Sequence, residues 1–236
     1  MNFHEHAYEK LIDLYHNHGH EVGSELQKSD PLTYGSYKST NCITYVLNVL
    51  SHAFESIGDA KASQHVWTLA KHGTELAQYL VTKHGWKGIY INPDVNHPRD
   101  APDPRCSEHP YSHYLANKTC KYYKIPLHYK VINYTPTPKD DPAFQQLNEH
   151  LSETALNNID IAGLEKVKFG FGVSRGGMHT WVYAEGYVYE VHWNAIGADL
   201  YEATPLRLFP WLSGAIVIPP DLAGVIPASA KLSCAS

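Results

Sequence analysis

Residues 38–58 read KSTNCITYVLNVLSHAFESIG. Ile43, Val46, Leu47, Leu50, Ala53, Phe54 and Ile57 recur at three- and four-residue intervals. That spacing predicts a helix with one long buried face. Ser39 or Thr40 can cap its start, and Gly58 supplies its stop. Cys42 falls in the first turn, where backbone N–H groups have no carbonyl partner and carry partial positive charge. Such a position favours the thiolate, which is the reactive form of cysteine. Its amide is also free to donate to a developing oxyanion.

The pattern on either side of this helix is simpler. Tyr8, Leu11, Ile12 and Tyr15 predict a helix over 4–17, followed by a loop from Gly19 to Gly35. Asp59 is placed to cap a second helix over 60–84. A short strand is expected at 88–92, an irregular segment at 93–110 with five prolines, and a short helix at 111–123. A strand is expected at 126–134 and a helix at 142–157. The last third changes character. VKFGFGV (167–173), HTWVYA (179–184), YVYEVHW (187–193) and AIVI (215–218) are rich in β-branched and aromatic residues and read as strands. The expected architecture is one α+β domain over 1–236, with N-terminal helices packed on a C-terminal antiparallel β-sheet and an insertion around 86–140.

Glu185-Gly186, between two of these strands, is a two-residue hairpin signal. With those residues in the turn, Ala184 faces Tyr187 and His179 falls opposite His192, their Cβ atoms roughly 5 Å apart. Glu190 shares that face, diagonal to His179. Either His192 or Glu190 could orient a His179 base by bonding its second ring nitrogen. Trp181, Tyr183 and Val188 share the face and are expected to be buried. Ser174-Arg175-Gly176-Gly177 just upstream can form a cleft wall, since paired glycines admit close backbone approach.

Asn41-Cys42 at a helix start, behind a loop containing Tyr, Ser and Thr, resembles the catalytic helix of the papain-like NlpC/P60 and CHAP cysteine peptidases and amidases. A His opening a strand, with a second polar residue about a dozen positions on, resembles the rest of that family's site. The resemblance covers about 35–57 and 167–218; the family's Asp-Cys-Ser-Gly is here Asn41-Cys42-Ile43-Thr44. It implies a papain-like fold, Cys42 as nucleophile, His179 as base, and His192 as third member with Glu190 as the alternative. Asn41, Tyr37, Tyr34 and Gly177 are the candidates for the oxyanion and substrate contacts. The implied substrate is the stem peptide of peptidoglycan. A member without a signal resembles type VI secretion effectors, which implies a secretion-apparatus carrier and a cognate immunity protein as partners.

Composition narrows the alternatives. The chain has 236 residues and a formal net charge of -5, without a Lys/Arg block, which gives nucleic acid or an anionic membrane no electrostatic hold. No apolar run approaches the roughly 20 residues that span a bilayer. The first residues lack a basic and then apolar leader, so synthesis in the cytoplasm and delivery to a target cell's periplasm by a secretion system are expected. Cys106 and Cys120 could pair in an oxidising compartment. Sixteen histidines are scattered without H-E-x-x-H spacing, so neither a metal nor another cofactor is expected. Two other functions fit the same residues: a Cys-His acyltransferase or glutamine deamidase toxin acting on a protein, and a non-enzymatic binding module in which Cys42 is merely buried.

Overall fold

The computed structural model describes residues 1–17, 42–69, 73–91, 125–132, 156–174, 179–193, 199–206, 209 and 214–221. The helices follow their apolar stripes. α1 (Phe3–Asn17) and α2 (Cys42–Ser56) are each 15 residues long. α2 buries Tyr45, Val46, Leu47, Val49, Leu50, Ala53 and Phe54, and ends where Gly58 takes φ +86°. The helix expected over 60–84 is two helices, α3 (Ala60–Thr68) and α4 (Gly73–His84). The Asp59 side chain caps α3 by accepting from the Ala62 amide. A glycine at the head of α4 marks a break that apolar spacing alone does not reveal.

The strands are β1 (Lys87–Ile91), β2 (Leu127–Ile132), β3 (Asn157–Asp160), β4 (Phe169–Ser174), β5 (His179–Ala184), β6 (Tyr187–Trp193), β7 (Asp199–Pro205) and β8 (Gly214–Ile218). A five-residue helix, α5 (Ile161–Glu165), separates β3 from β4. The chain is thus α+β, but the sheet is mixed, with strand order β3-β2-β1-β8-β4-β5-β6-β7. β1–β2 and β2–β3 pair in parallel, and the other pairs are antiparallel. A purely antiparallel, C-terminal sheet is therefore corrected. β1 joins the antiparallel half through β8 and lies between β8 and β2, so both ends of the stretch expected as an insertion are strands of the common sheet. The helix expected over 142–157 lies mostly outside the described residues, and its last residue opens β3. The expected helix at 111–123, the Pro-rich 93–110 segment, and Cys106 and Cys120 also lie outside them.

Two buried clusters divide the sheet's faces. One joins Leu11 and Leu14 of α1, most of the α2 stripe, and Leu76 and Leu80 of α4 to Phe169, Phe171, Val173, Val182, Ala184, Tyr189, Val191, Ala215 and Val217. Phe3 binds this core together, with ring centroids 4.8 Å from Phe54 and 5.5 Å from Trp86. The second cluster takes the alternate residues of the same strands, among them Trp181, Tyr183, Val188, Ile216 and Ile218, with Phe209. β4 shows the division most clearly. Its phenylalanines enter the first cluster, while Gly172 leaves room on the other face for the Trp181 ring, which a Cβ would meet at 2.2 Å.

Candidate active site

The site forms where the head of α2 meets the start of β5. Two features of the chain bring them together. The stripe of α2 seats the helix against β5 and β6, and the hairpin then fixes which β5 residues face it. Glu185 at φ +49° and Gly186 at φ +88° form the two-residue turn. The register Ala184↔Tyr187, Tyr183↔Val188, Val182↔Tyr189 is the one that the Glu185-Gly186 turn predicts. β4 carries the order to the strand's first residue, with Ser174 opposite His179. The Trp181 indole donates to Ser174 Oγ at 3.3 Å, holding that end of the sheet.

Cys42 and His179 are hydrogen-bonded to each other. His179 Nε2 is bonded in turn to Glu190 Oε2. His179 is 6% exposed and Glu190 1%, so this ion pair is shielded from water and from salt screening. Cys42 is half-buried as a residue. Burial pushes its thiol up, but the bond to His179, the charge of that ring, and the backbone and hydroxyl of Thr180 pull it down to about 7. Burial pushes His179 down, but its bonds to Cys42 and Glu190, and their charges, raise it to about 9. Between those values the dominant state is a thiolate beside an imidazolium.

Of the expected residues, the structure brings together Cys42, His179 and Glu190. His192 lies in β6 with its backbone opposite Leu200; its side chain is outside the described part of the molecule. Tyr34, Tyr37, Asn41 and Gly177 also lie outside the described residues. Thr180 is the site residue that the sequence reading did not single out. The signal for it was present, because the same hairpin register that places His179 turns the next residue toward the helix. Trp181, Tyr183 and Val188, expected on the His179 face, are fully buried. Among the described residues no three His, Cys, Asp or Glu side chains gather as metal ligands would, and no helix is long and apolar enough to cross a membrane.

Chemically, the arrangement holds a thiol at a helix N-terminus, an imidazole beside it, and a carboxylate bonded to that imidazole, a set of groups suited to nucleophilic and acid–base chemistry. Comparison with protein-family models, curated proteins and solved structures gives no match for this chain.

Proposed function

We propose that this protein is a cysteine hydrolase of peptide or amide bonds, with Cys42 as nucleophile, His179 as general acid–base and Glu190 as the group that orients His179. The observation that carries the proposal is the linked set Cys42–His179–Glu190 at the head of α2. A cysteine that is merely buried in an apolar core is kept protonated by its surroundings. A core histidine needs neither a thiol nor a buried carboxylate. Finding all three bonded in series, with the thiol pulled down and the ring pulled up, favours catalysis over a binding module.

The reaction runs in two halves. The Cys42 thiolate attacks the carbonyl carbon, and the C=O electron pair moves onto oxygen. The backbone N–H of Cys42 at the start of α2 is the candidate to receive that oxyanion, and Asn41, Tyr37, Tyr34 and Gly177 are candidates to assist. The tetrahedral intermediate collapses, the C–N bond breaks, and the His179 imidazolium gives its proton to the leaving amine. Neutral His179 then takes a proton from water as that water attacks the thioester. The carboxylic acid leaves and the thiolate returns.

For the acyl donor we propose a peptidoglycan stem peptide, on the resemblance of the Asn41-Cys42 helix and the His179 strand to the papain-like NlpC/P60 and CHAP enzymes. The α+β class of the chain is in keeping with that proposal. An antibacterial effector carried by a type VI apparatus and neutralised by an immunity protein follows from the same likeness. The test is digestion of purified sacculi by the wild type beside Cys42→Ala, with mass analysis of the soluble products. New amines and shortened stem peptides, absent with Cys42→Ala, are expected. Intact sacculi together with glutamine-to-glutamate conversion in a protein mixture would redirect the reading to a deamidase.

A further inference from the structure

The Glu185-Gly186 turn fixes where each β5 amide points. Ala184 and Tyr187 flank a two-residue turn and so form a hydrogen-bonded pair. Counting back in steps of two, the amides of Val182 and then Thr180 are directed toward β6. The β5–β6 register runs from Ala184↔Tyr187 to Val182↔Tyr189. On the other side, β4 remains paired through Val173↔Thr180 and Ser174↔His179. The hairpin therefore parts on the β6 side, one step before the site, and Thr180 is the residue whose amide faces the gap. That amide is instead close enough to the Cys42 sulfur to pull its thiol down.

The Thr180 side chain adds a second donor. Alternation sends it to the same face as Val182 and Ala184, which lie in the cluster shared with α2. It is 2% exposed. Its Oγ1 has no hydrogen-bond partner among the described residues, and together with the amide it pulls the Cys42 thiol down. A buried hydroxyl left without a partner is costly, and a thiolate is an acceptor that would satisfy it.

We propose that Thr180 is a positioning residue, in which the parted hairpin and the buried hydroxyl together form a seat for the Cys42 sulfur, holding it beside His179 and stabilising it as the thiolate. This rests on the reading of Cys42 as the nucleophile. The seat has two opposed effects. It enlarges the thiolate fraction at neutral and acid pH, and it makes each thiolate less nucleophilic, because nucleophilicity falls with basicity along a slope of about 0.4–0.5. Removing one donor to a charged acceptor moves the midpoint by about one pH unit.

The test is the rate of iodoacetamide labelling of the folded protein against pH, read at Cys42 by peptide mapping, for the wild type and for Thr180→Val, Thr180→Ala, Thr180→Ser and His179→Ala. With Thr180→Val the midpoint should rise by about one unit. Labelling should be about threefold slower at pH 6 yet about threefold faster on the alkaline plateau. Thr180→Ala should do the same without the branched side chain, and Thr180→Ser should return the wild-type curve. A crossing of the two curves is something loss of packing alone does not produce. If Thr180→Val and Thr180→Ala slow labelling equally at every pH, or leave the curve unchanged, while His179→Ala suppresses labelling at pH 6, the Thr180 seat is refuted and the nucleophile reading survives. If His179→Ala labels at pH 6 as fast as the wild type, both fail.

Discussion

Burial on its own would keep Cys42 protonated and His179 neutral; the bonds between them, and the Glu190 carboxylate behind, reverse both preferences. The thiolate–imidazolium pair is thus bounded on the acid side by Cys42 at about 7 and on the alkaline side by His179 at about 9. With Cys42 as the nucleophile proposed above, the dependence of kcat/KM on pH should be a bell with those limbs. Glu190→Gln keeps an acceptor for Nε2 but removes the charge, so the alkaline limb should move down and activity at pH 8.5 should drop about tenfold or more. An alkaline limb that stays near 9 in that variant would assign Glu190 a structural part alone.

Stability should respond to pH quite differently from activity. His179 is raised, so its contribution is complete below about 6.5 and is lost as pH rises through about 9. Cys42 is lowered, so its contribution is present above its ordinary value near 9 and is lost as pH falls through about 7. Between 7 and 9 these slopes have opposite sign and offset each other, because the pair moves one proton internally rather than binding or releasing it. Urea midpoints of the wild type should accordingly be level across that window. Cys42→Ser removes the rising component and leaves the part of the falling one that Glu190 supplies, so its midpoint should decline as pH rises from 7. Parallel, level profiles for the two proteins would contradict the ion pair.

The elements show how tightly the sheet supports this site. Gly172 lies under Trp181, two residues from His179, where a Cβ would come within 2.2 Å of the indole. Neither the β4 backbone, paired on both sides, nor Trp181, packed at 5.0 Å against Phe209, has room to give. Gly172→Ala should cost about 3 kcal/mol or more. Trp181→Leu should relieve the clash, so the double variant should be less destabilised than the sum of the singles. Additive urea midpoints would mean that the two side chains do not compete for this space. The same elements show what the sequence could reveal. α2 and the hairpin were legible because a 3.6-residue stripe and a Glu-Gly turn are local signals, and the register followed by counting. β3 (NNID) and β7 (DLYEATP) were not read as strands. Among the described residues they form the two edges of the sheet, and their composition is polar, so pairing with β2 and β6 is what makes them strands. The central place of β1 was hidden for a related reason. Its partners β2 and β8 lie far along the chain, and no local pattern specifies a parallel neighbour. At the site itself, the helical stripe points to Cys42 and the hairpin to His179, and counting along that hairpin leaves His192 and Glu190 as rivals. The hydrogen bond of Glu190 depends on how the strands part beyond Val182, which sequence spacing does not encode.

Across the whole molecule, the partners in the site are far apart in sequence: Cys42 and His179 are separated by 137 positions. Their contact requires α2 to be seated on the first cluster, β5 to be held by β4, and β4 to be held by β8. None of these is a local event, so the low pKa of the thiol should belong to the folded chain as a whole. At pH 6, a thiol with a value near 7 is thiolate roughly 90 times more often than a cysteine at its ordinary value near 9. Brief alkylation pulses at pH 6 along a urea series should therefore report the folded fraction, with reactivity at Cys42 falling through the transition. The buried indoles of Trp86 and Trp181 report the same transition by fluorescence from both faces of the sheet. The two midpoints should coincide, as they do when one cooperative unit carries both probes. If Cys42 loses its acid reactivity at clearly lower urea than the fluorescence change, the head of α2 detaches from the hairpin before the sheet unfolds. The site would then depend on that docking step, and substitutions in the α2 stripe, such as Leu50→Ala, would depress activity more than they depress global stability.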